Sequence, residues 1–170
     1  MNRSLSRAVL PLALAALAAL AAACTPANTR PGATVPTAVK TGQSWVVTRP
    51  VIVAQVLDPC SRASPGQTPG RVTGYWAPSR QQVEQLEAQL PTLAAQVPNV
   101  TDFNRQYVGI ELEGRKVIYL NAFRLPDHSE VDPSREAIRV CDGGSMFWGA
   151  VFDPATGQFS ELAFNGGKGT

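Results

Sequence analysis

The 170-residue chain has little charge and almost no histidine. Only 16% of its residues are charged, well below the usual quarter, and this composition argues against a disordered polyampholyte or a coiled coil. Two of the fifteen basic residues, Arg3 and Arg7, lie at the extreme N-terminus, which leaves thirteen basic against thirteen acidic side chains. A chain so close to neutrality lacks the positive charge that nucleic-acid binding needs. We therefore expect no nucleic acid among its partners.

The common catalytic and cofactor-binding motifs are also missing. The sequence has no phosphate-binding loop, dinucleotide fingerprint, HExxH motif or Gly-x-Ser-x-Gly elbow. The single histidine, His128, lies in a polar loop with Asp127, Glu130 and Asp132, but this loop lacks the glycine and the terminal glutamate of a calcium site. We predict no catalytic residue, no metal site and no cofactor. A carboxylate pair of the glycosidase type stays open as the alternative.

The N-terminus has the pattern of a signal peptide over residues 1–23. Arg3 and Arg7 form a basic start, and an apolar run rich in alanine and leucine follows from Ala8 to Ala23. A helix of about sixteen residues spans roughly 24 Å, short of the roughly 30 Å hydrocarbon core of a bilayer. The pattern therefore favours a secretory leader over a retained membrane anchor.

The end of this leader, Leu20 to Thr25, resembles the lipobox of bacterial lipoproteins. The resemblance implies that Cys24 is acylated, becomes the mature N-terminus and attaches the chain to a membrane. Ala21 stands where that family usually has leucine, and small residues before Cys24 also suit an ordinary signal peptidase. Thr25 after the cysteine, rather than aspartate, implies the outer membrane, with the protein facing the periplasm. A soluble secreted or periplasmic protein is the alternative.

Residues 24–43 have the composition of a flexible tether. They contain Pro26, Pro31 and Pro36, with several threonines and almost nothing apolar, so they cannot bury enough surface to order themselves. Fully extended, about nineteen residues reach roughly 60 Å. Such a tether suits a folded domain whose N-terminus is fixed at a membrane surface.

Removal of Cys24 from the count leaves two cysteines, Cys60 and Cys141. An even pair in an oxidising compartment predicts a disulfide bond between them. Neither has a second cysteine nearby, so neither a redox motif nor a thiolate zinc site is indicated. Two unpaired buried thiols are the alternative.

The remaining chain, residues 44–170, is expected to form a single domain that begins with a strand and a helix. Ser44 to Leu57 is rich in β-branched residues, which predicts a strand that Pro50 places at an edge or breaks in two. Asp58 to Gly74 has the composition of a loop. Ser79 and Gln82 form a capping-box pattern. An apolar stripe at helical spacing follows, with a kink expected at its proline: Val83, Leu86, Leu90, Pro91, Leu93, Val97.

Five strands are predicted after this helix, separated by glycine- and aspartate-rich turns. They are Gln106 to Leu112, Lys116 to Phe123, Ala137 to Cys141, Met146 to Phe152 and Gln158 to Phe164. One helix followed by consecutive antiparallel strands predicts an α+β fold, in which the helix packs on a curled antiparallel sheet of about four to five strands. This order of helix and strands along the chain resembles the cystatin-like arrangement. The analogy concerns only the order of the elements.

Part of the domain resembles a block found in a family of small uncharacterised exported bacterial proteins. The residues that carry the resemblance are Val140 to Gly144, Phe147 to Gly149, Phe152 and Asp153, Phe164 to Gly166, and Arg105 to Ile110. The resemblance implies a type of domain and brings no activity with it.

The aromatic side chains are the main candidates for recognition. Trp76 and Trp148 could form an exposed patch for a partner, with Arg105 and Tyr107 as its polar rim. The alternative places the tryptophans in the core. The sequence thus predicts a lipid-anchored binding or assembly module with a protein partner in the cell envelope. An inhibitor or immunity-type lipoprotein is one alternative, and an uncharacterised hydrolase is the other.

Overall fold

A mixed six-stranded sheet with two helices makes up the described part of the chain. The computed structural model describes residues 39–58, 71–126 and 129–166. The strands are β1 (Ser44–Val46), β2 (Val72–Trp76), β3 (Asn104–Leu112), β4 (Arg115–Phe123), β5 (Gly144–Asp153) and β6 (Gln158–Asn165), and the helices are α1 (Pro50–Leu57) and α2 (Arg80–Gln89). The predicted α+β class is confirmed, whereas the expectation of one helix on a purely antiparallel sheet is wrong.

Strands β3 to β6 form an antiparallel meander, and two short strands share the other edge of β3. β1 runs parallel to β3 and pairs with residues 105–107, while β2 runs antiparallel and pairs with residues 109–112. Arg71, just before β2, lies 3.8 Å from Glu161 on β6. Because three strands separate β2 from β6, this ion pair requires the sheet to bend.

The predicted strand from Ser44 to Leu57 is correct only for its first three residues. Pro50 begins α1 instead, because a residue without an N–H loses no hydrogen bond in the first turn of a helix. The buried side chains of this segment are spaced as one helix face, and their burial against the sheet outweighs the strand preference of valine and isoleucine. These residues are Ile52, Val53, Val56 and Leu57. The predicted loop is also too long, since β2 begins at Val72.

Helix α2 begins where the sequence predicts, and it changes to a 3₁₀ helix at the proline where a kink is expected. The Ser79 Oγ accepts from the Gln82 N–H at 3.3 Å, and the Ser79 N–H donates to the Gln82 Oε1 at 2.9 Å, which is the capping box. The α-helix stops at Gln89 and continues as a 3₁₀ helix that contains Pro91. Its apolar stripe is buried on the sheet at Leu86, Leu90, Leu93 and Val97.

Each face of the sheet carries its own hydrophobic core, because alternate residues of a strand point to opposite faces. The α2 face includes Tyr107, Ile118, Leu120, Trp148 and Phe152. The α1 face includes Val108, Ile110, Val117, Tyr119 and Val151. The sheet is therefore a middle layer, covered by α1 on one face and by α2 with the chain that follows it on the other.

The predicted strand from Ala137 to Cys141 is absent from the structure, which has no regular element there. The Ile138 N–H donates to the Gln106 Oε1 at 3.1 Å, and the Ile138 carbonyl accepts from the Asn121 Nδ2 at 2.9 Å. The buried side chains of Gln106 on β3 and Asn121 on β4 thus occupy the Ile138 N–H and carbonyl, which in a strand would pair with a neighbouring strand. This segment covers one face of the sheet instead of extending its edge.

Candidate binding surface

The four residues predicted to form an exposed aromatic patch lie mainly inside the protein. Tyr107 and Trp148 are fully buried and Arg105 is 4% exposed. Trp76 is half-buried, packs against the α2-face core, and donates its indole N–H to the Ile110 carbonyl at 3.0 Å. The prediction of an exposed patch around these residues is therefore wrong. Trp148 and Trp76 both pack with the buried residues of α2, so the alternative, in which the tryptophans close the core, agrees with the structure.

Arg105 is the centre of a buried polar network. Its Nε donates to the Tyr107 Oη at 3.0 Å, and its guanidinium lies 3.1 Å from a carboxylate oxygen of Glu87 on α2. The remaining guanidinium hydrogens are donated to the backbone carbonyls of Gly42, Thr101 and Phe103. All three guanidinium nitrogens thus have acceptors, which a buried arginine requires.

Tyr107 completes this network by donating its hydroxyl proton to the Glu87 Oε1 at 2.5 Å. Burial raises the pKa of Tyr107 well above its usual range, Arg105 opposes the shift, and the Glu87 charge and hydrogen bond add to it. The Glu87 side chain itself is 30% exposed. Glu87 is therefore a carboxylate at the surface whose position is fixed from below by two buried side chains.

The raised pKa of Tyr107 predicts a loss of stability at alkaline pH. An unfolded tyrosine ionises near pH 10, whereas Tyr107 keeps its proton in the folded state. Below pH 10 both states are protonated, and above it only the unfolded state releases the proton, so the free energy of unfolding falls by up to about 1.4 kcal/mol per pH unit. Urea unfolding between pH 9 and 11 should show this slope.

Tyr107→Phe should make the slope shallower, and Tyr75→Phe, at a side chain that is 59% exposed, should leave it unchanged. Equal slopes in Tyr107→Phe and the unmodified protein would refute this linkage.

One open cleft, which we call the edge groove, lies between β1 and α2. Its volume is about 560 Å³, and its lining residues are Ser44, Val46, Arg80, Val83, Glu84 and Glu87. The four helical residues recur at spacings of three and four, which places them on one face of α2. The groove therefore has an apolar floor at Val46 and Val83, with charged side chains along the helix.

The backbone of β1 is open toward this groove. The Arg105 N–H donates to the Gln43 carbonyl and the Val47 N–H donates to the Tyr107 carbonyl, both at 2.9 Å. Since the hydrogen-bonding side of a strand alternates with each residue, Ser44 and Val46 present their N–H and C=O groups away from β3. Among the described residues, no strand pairs with that side of β1.

A second cleft, which we call the glutamine cleft, lies on the other side of α2. Its volume is about 510 Å³. It is lined by the start of α2, the start of β4 and the turn between β5 and β6, through Gln81, Gln82, Gln85, Arg115, Lys116, Asp153, Pro154 and Ala155. Helix α2 is thus a ridge with an open cleft along each side.

The turn between β5 and β6 is closed by hydrogen bonds and confirms the predicted hairpin. The Asp153 Oδ1 accepts from the Ala155 N–H at 2.8 Å, and the Asp153 carbonyl accepts from the Gly157 N–H at 2.8 Å. Asp153 also lies 3.3 Å from the Arg115 guanidinium. The turn therefore places Asp153, paired with Arg115, in the lining of the glutamine cleft.

Several predicted residues lie outside the described part of the chain, including Cys24, Cys60, Asp127 and His128. Cys141 is disulfide-bonded, and its pairing with Cys60 stays a prediction. Within the described ranges, no group of three or more histidine, cysteine, aspartate or glutamate side chains is placed to hold a metal. No described helix is long and apolar enough to cross a membrane.

Comparison with known protein families, curated proteins and solved structures finds no match to this chain. The two clefts therefore have to be interpreted from their own chemistry. Sequence reasoning missed both of them, although the spacing of Arg80, Val83 and Glu87 already places these residues on one helix face. The position of β1 beside that face depends on pairing with β3, which lies about sixty residues later in the chain.

Proposed function

We propose that this protein is a binding module, attached to an envelope membrane through Cys24, that holds an extended segment of a partner protein in the edge groove. The observation that carries the proposal is the open backbone edge of β1, at Ser44 and Val46, beside the α2 face. An extended peptide that adds to a free strand edge gains main-chain hydrogen bonds, and alternate side chains enter the neighbouring pocket.

The side chains of the groove indicate what this segment carries. Val46 is 42% exposed, and together with Val83 it offers an apolar site for one partner side chain. Along the helix, Arg80 faces two carboxylates, Glu84 and Glu87. Arg80 pairs with Glu84, and the buried Arg105 pairs with Glu87, so these four side chains carry no excess charge. Glu87 is 30% exposed and offers a carboxylate oxygen to a hydrogen-bond donor of the partner, and its fixed position reduces the entropy lost on binding.

The membrane attachment is supported by the sequence alone. The lipobox-like residues before Cys24 and the proline-rich residues that follow it are what a domain held near the outer membrane requires. If the partner is an envelope enzyme, the same groove would serve the inhibitor or immunity-type role. The hydrolase alternative would centre on His128, which lies outside the described residues.

Crosslinking in intact cells, purification through a C-terminal tag and mass spectrometry test both parts of the proposal. The wild-type protein should carry palmitate on Cys24. One envelope protein should be recovered with it, at close to equal stoichiometry. Val46→Asp should lose that partner, because it places a charge in the apolar floor of the groove. Val51→Asp, the same change at a valine that is 67% exposed on α1, should retain it.

Recovery of the partner with Val46→Asp, or its equal loss with Val51→Asp, would contradict the edge groove as the binding site. Absence of palmitate on Cys24 would contradict the anchor and leave secretion. Thermal unfolding of both valine variants checks that each is folded.

A further inference from the structure

We infer that the glutamine cleft binds a small anionic saccharide, such as a sugar carrying a carboxylate. This site lies on the opposite side of α2 from the edge groove and does not depend on the proposed partner. Its volume of about 510 Å³ falls within the range of small-molecule sites. The inference depends on one uncompensated charge and on two amide groups whose orientation the structure fixes.

The charge is that of Lys116. Asp153 and Arg115, 3.3 Å apart, compensate each other. Lys116 forms no ion pair within 4.0 Å among the described residues, and its neighbour across the strands, Glu111, does not line the cleft. The Lys116 Nζ lies 6.0 Å from the centre of the Trp76 ring. That cation–π contact holds the ammonium group at the cleft without neutralising it. An anionic ligand group therefore finds a positioned, unpaired cation.

The amide of Gln82 offers a donor to the cleft. Its Oε1 accepts from the N–H and the hydroxyl of Ser79, both at 2.9 Å. Because a backbone N–H can only donate, the oxygen of this amide must face Ser79. The Nε2 of Gln82 is then left to donate to a ligand.

The amide of Gln85 is turned the other way. Its Nε2 donates to the Pro154 carbonyl at 3.1 Å, and because a carbonyl can only accept, the nitrogen must face the turn. The Oε1 of Gln85 is then left to accept. A fixed donor and a fixed acceptor one helical turn apart match hydroxyl groups, which both donate and accept.

The walls of the cleft are already in place before a ligand binds. The capping box fixes Gln82, and the Gln85 bond to Pro154 joins α2 to the turn between β5 and β6. Pro154 and Ala155 add a small apolar surface of the kind on which the C–H face of a sugar ring can pack. The site therefore loses little conformational entropy on binding.

Equilibrium dialysis of the full-length protein in detergent with radiolabelled glucuronate tests this site. We expect saturable binding of one glucuronate per chain, and little competition from glucose, which lacks the carboxylate, or from inorganic phosphate, which lacks the ring. Lys116→Gln should weaken binding about tenfold, because it removes the unpaired charge. Arg49→Gln, an equal change of charge at an exposed residue before α1, should leave binding unchanged.

Absence of saturable binding would overturn the inference. If glucose competes as well as unlabelled glucuronate, the Lys116 charge has no role in recognition and the inference of an anionic ligand is refuted. If phosphate competes as well as unlabelled glucuronate, the cleft is an anion site without specificity for a saccharide, and the inference of a saccharide is refuted. Unchanged affinity in both Lys116→Gln and Gln85→Leu would place the glucuronate outside the glutamine cleft. Thermal unfolding confirms that each variant is folded before its affinity is compared.

Discussion

Replacement of Cys141 with serine should lower the free energy of unfolding by about 4.5 kcal/mol. Cys141 is disulfide-bonded, and the predicted partner, Cys60, closes a loop of about 82 residues on the chain-entropy model. Such a bond restricts the unfolded chain, and its loss removes a large share of the stability of a domain this small. Urea unfolding of the oxidised protein and of Cys141→Ser measures the difference.

Reductant and the other cysteines provide the controls. Added reductant should lower the unfolding midpoint of the unmodified protein and do nothing further to Cys141→Ser. Cys60→Ser should match Cys141→Ser, while Cys24→Ser should unfold as the unmodified protein does. A midpoint that is the same with and without reductant would refute the stabilising disulfide, and an effect of Cys24→Ser in place of Cys60→Ser would refute the predicted pairing.

Replacement of Arg105 with alanine should destabilise the domain by about 3–5 kcal/mol. Arg105 is 4% exposed, so its removal leaves a buried cavity and takes a hydrogen-bond donor away from several groups. The groups affected are the carbonyls of Gly42, Thr101 and Phe103, the Tyr107 hydroxyl oxygen and the Glu87 carboxylate. Thermal or urea unfolding of the purified variant measures this loss.

Arg80→Ala is the matched control for Arg105→Ala. The Arg80 side chain is 93% exposed and forms only a surface ion pair with Glu84, so its loss should change stability by no more than about 0.5 kcal/mol. Arg105→Lys keeps the charge but cannot reproduce the planar guanidinium contacts, and it should still be clearly destabilised. Equal stability of Arg105→Ala and Arg80→Ala would show that the buried network does not support the fold.

The parts of the fold that depend on neighbouring residues could be predicted from the sequence. The capping box at Ser79, the end of α2 near Pro91, and the turns at Gly114 and Gly157 all involve contacts within a few residues. These signals placed α2 and the strands β3 to β6. The same locality explains why their boundaries were nearly correct.

The failures involve contacts between distant parts of the chain. The segment that begins at Pro50 has strand-forming residues, and only the sheet beneath it makes its helical face favourable. Ala137 to Cys141 resembles a strand, but Gln106 and Asn121 bind its backbone. No pattern within either segment reveals such a partner.

Gln106 shows most directly why the path of the segment from Ala137 to Cys141 could not be predicted from the sequence. In an alternating strand Gln106 occupies a core position, where a polar residue argues against the strand prediction. Its Nε2 donates to the carbonyls of Pro133 and Glu136, and its Oε1 accepts from Asn121 and from Ile138. All four hydrogen-bonding capacities are used, so the side chain ties the covering segment to the sheet.

The same limit applies to the binding surface. The helix spacing could have shown that Arg80, Val83 and Glu87 share a face, but the clefts also need β1 and the start of β4 beside α2. The expected patch failed for a related reason. Trp148 and Tyr107 are large aromatic residues on strands, and only the position of α2 determines that they face the core.

The attachment of residues before β1 determines how the domain would respond to a mechanical force. The Gly42 carbonyl is held by Arg105, and the Gln43 N–H donates to the Asn104 Oδ1 at 2.9 Å. Both partners belong to β3, the strand that pairs with β1, β2 and β4. If the chain is attached to a membrane through Cys24, as we propose, a pull on the residues before β1 would enter the sheet at β3. Strand β3 would then resist the force before α1 could separate from the sheet.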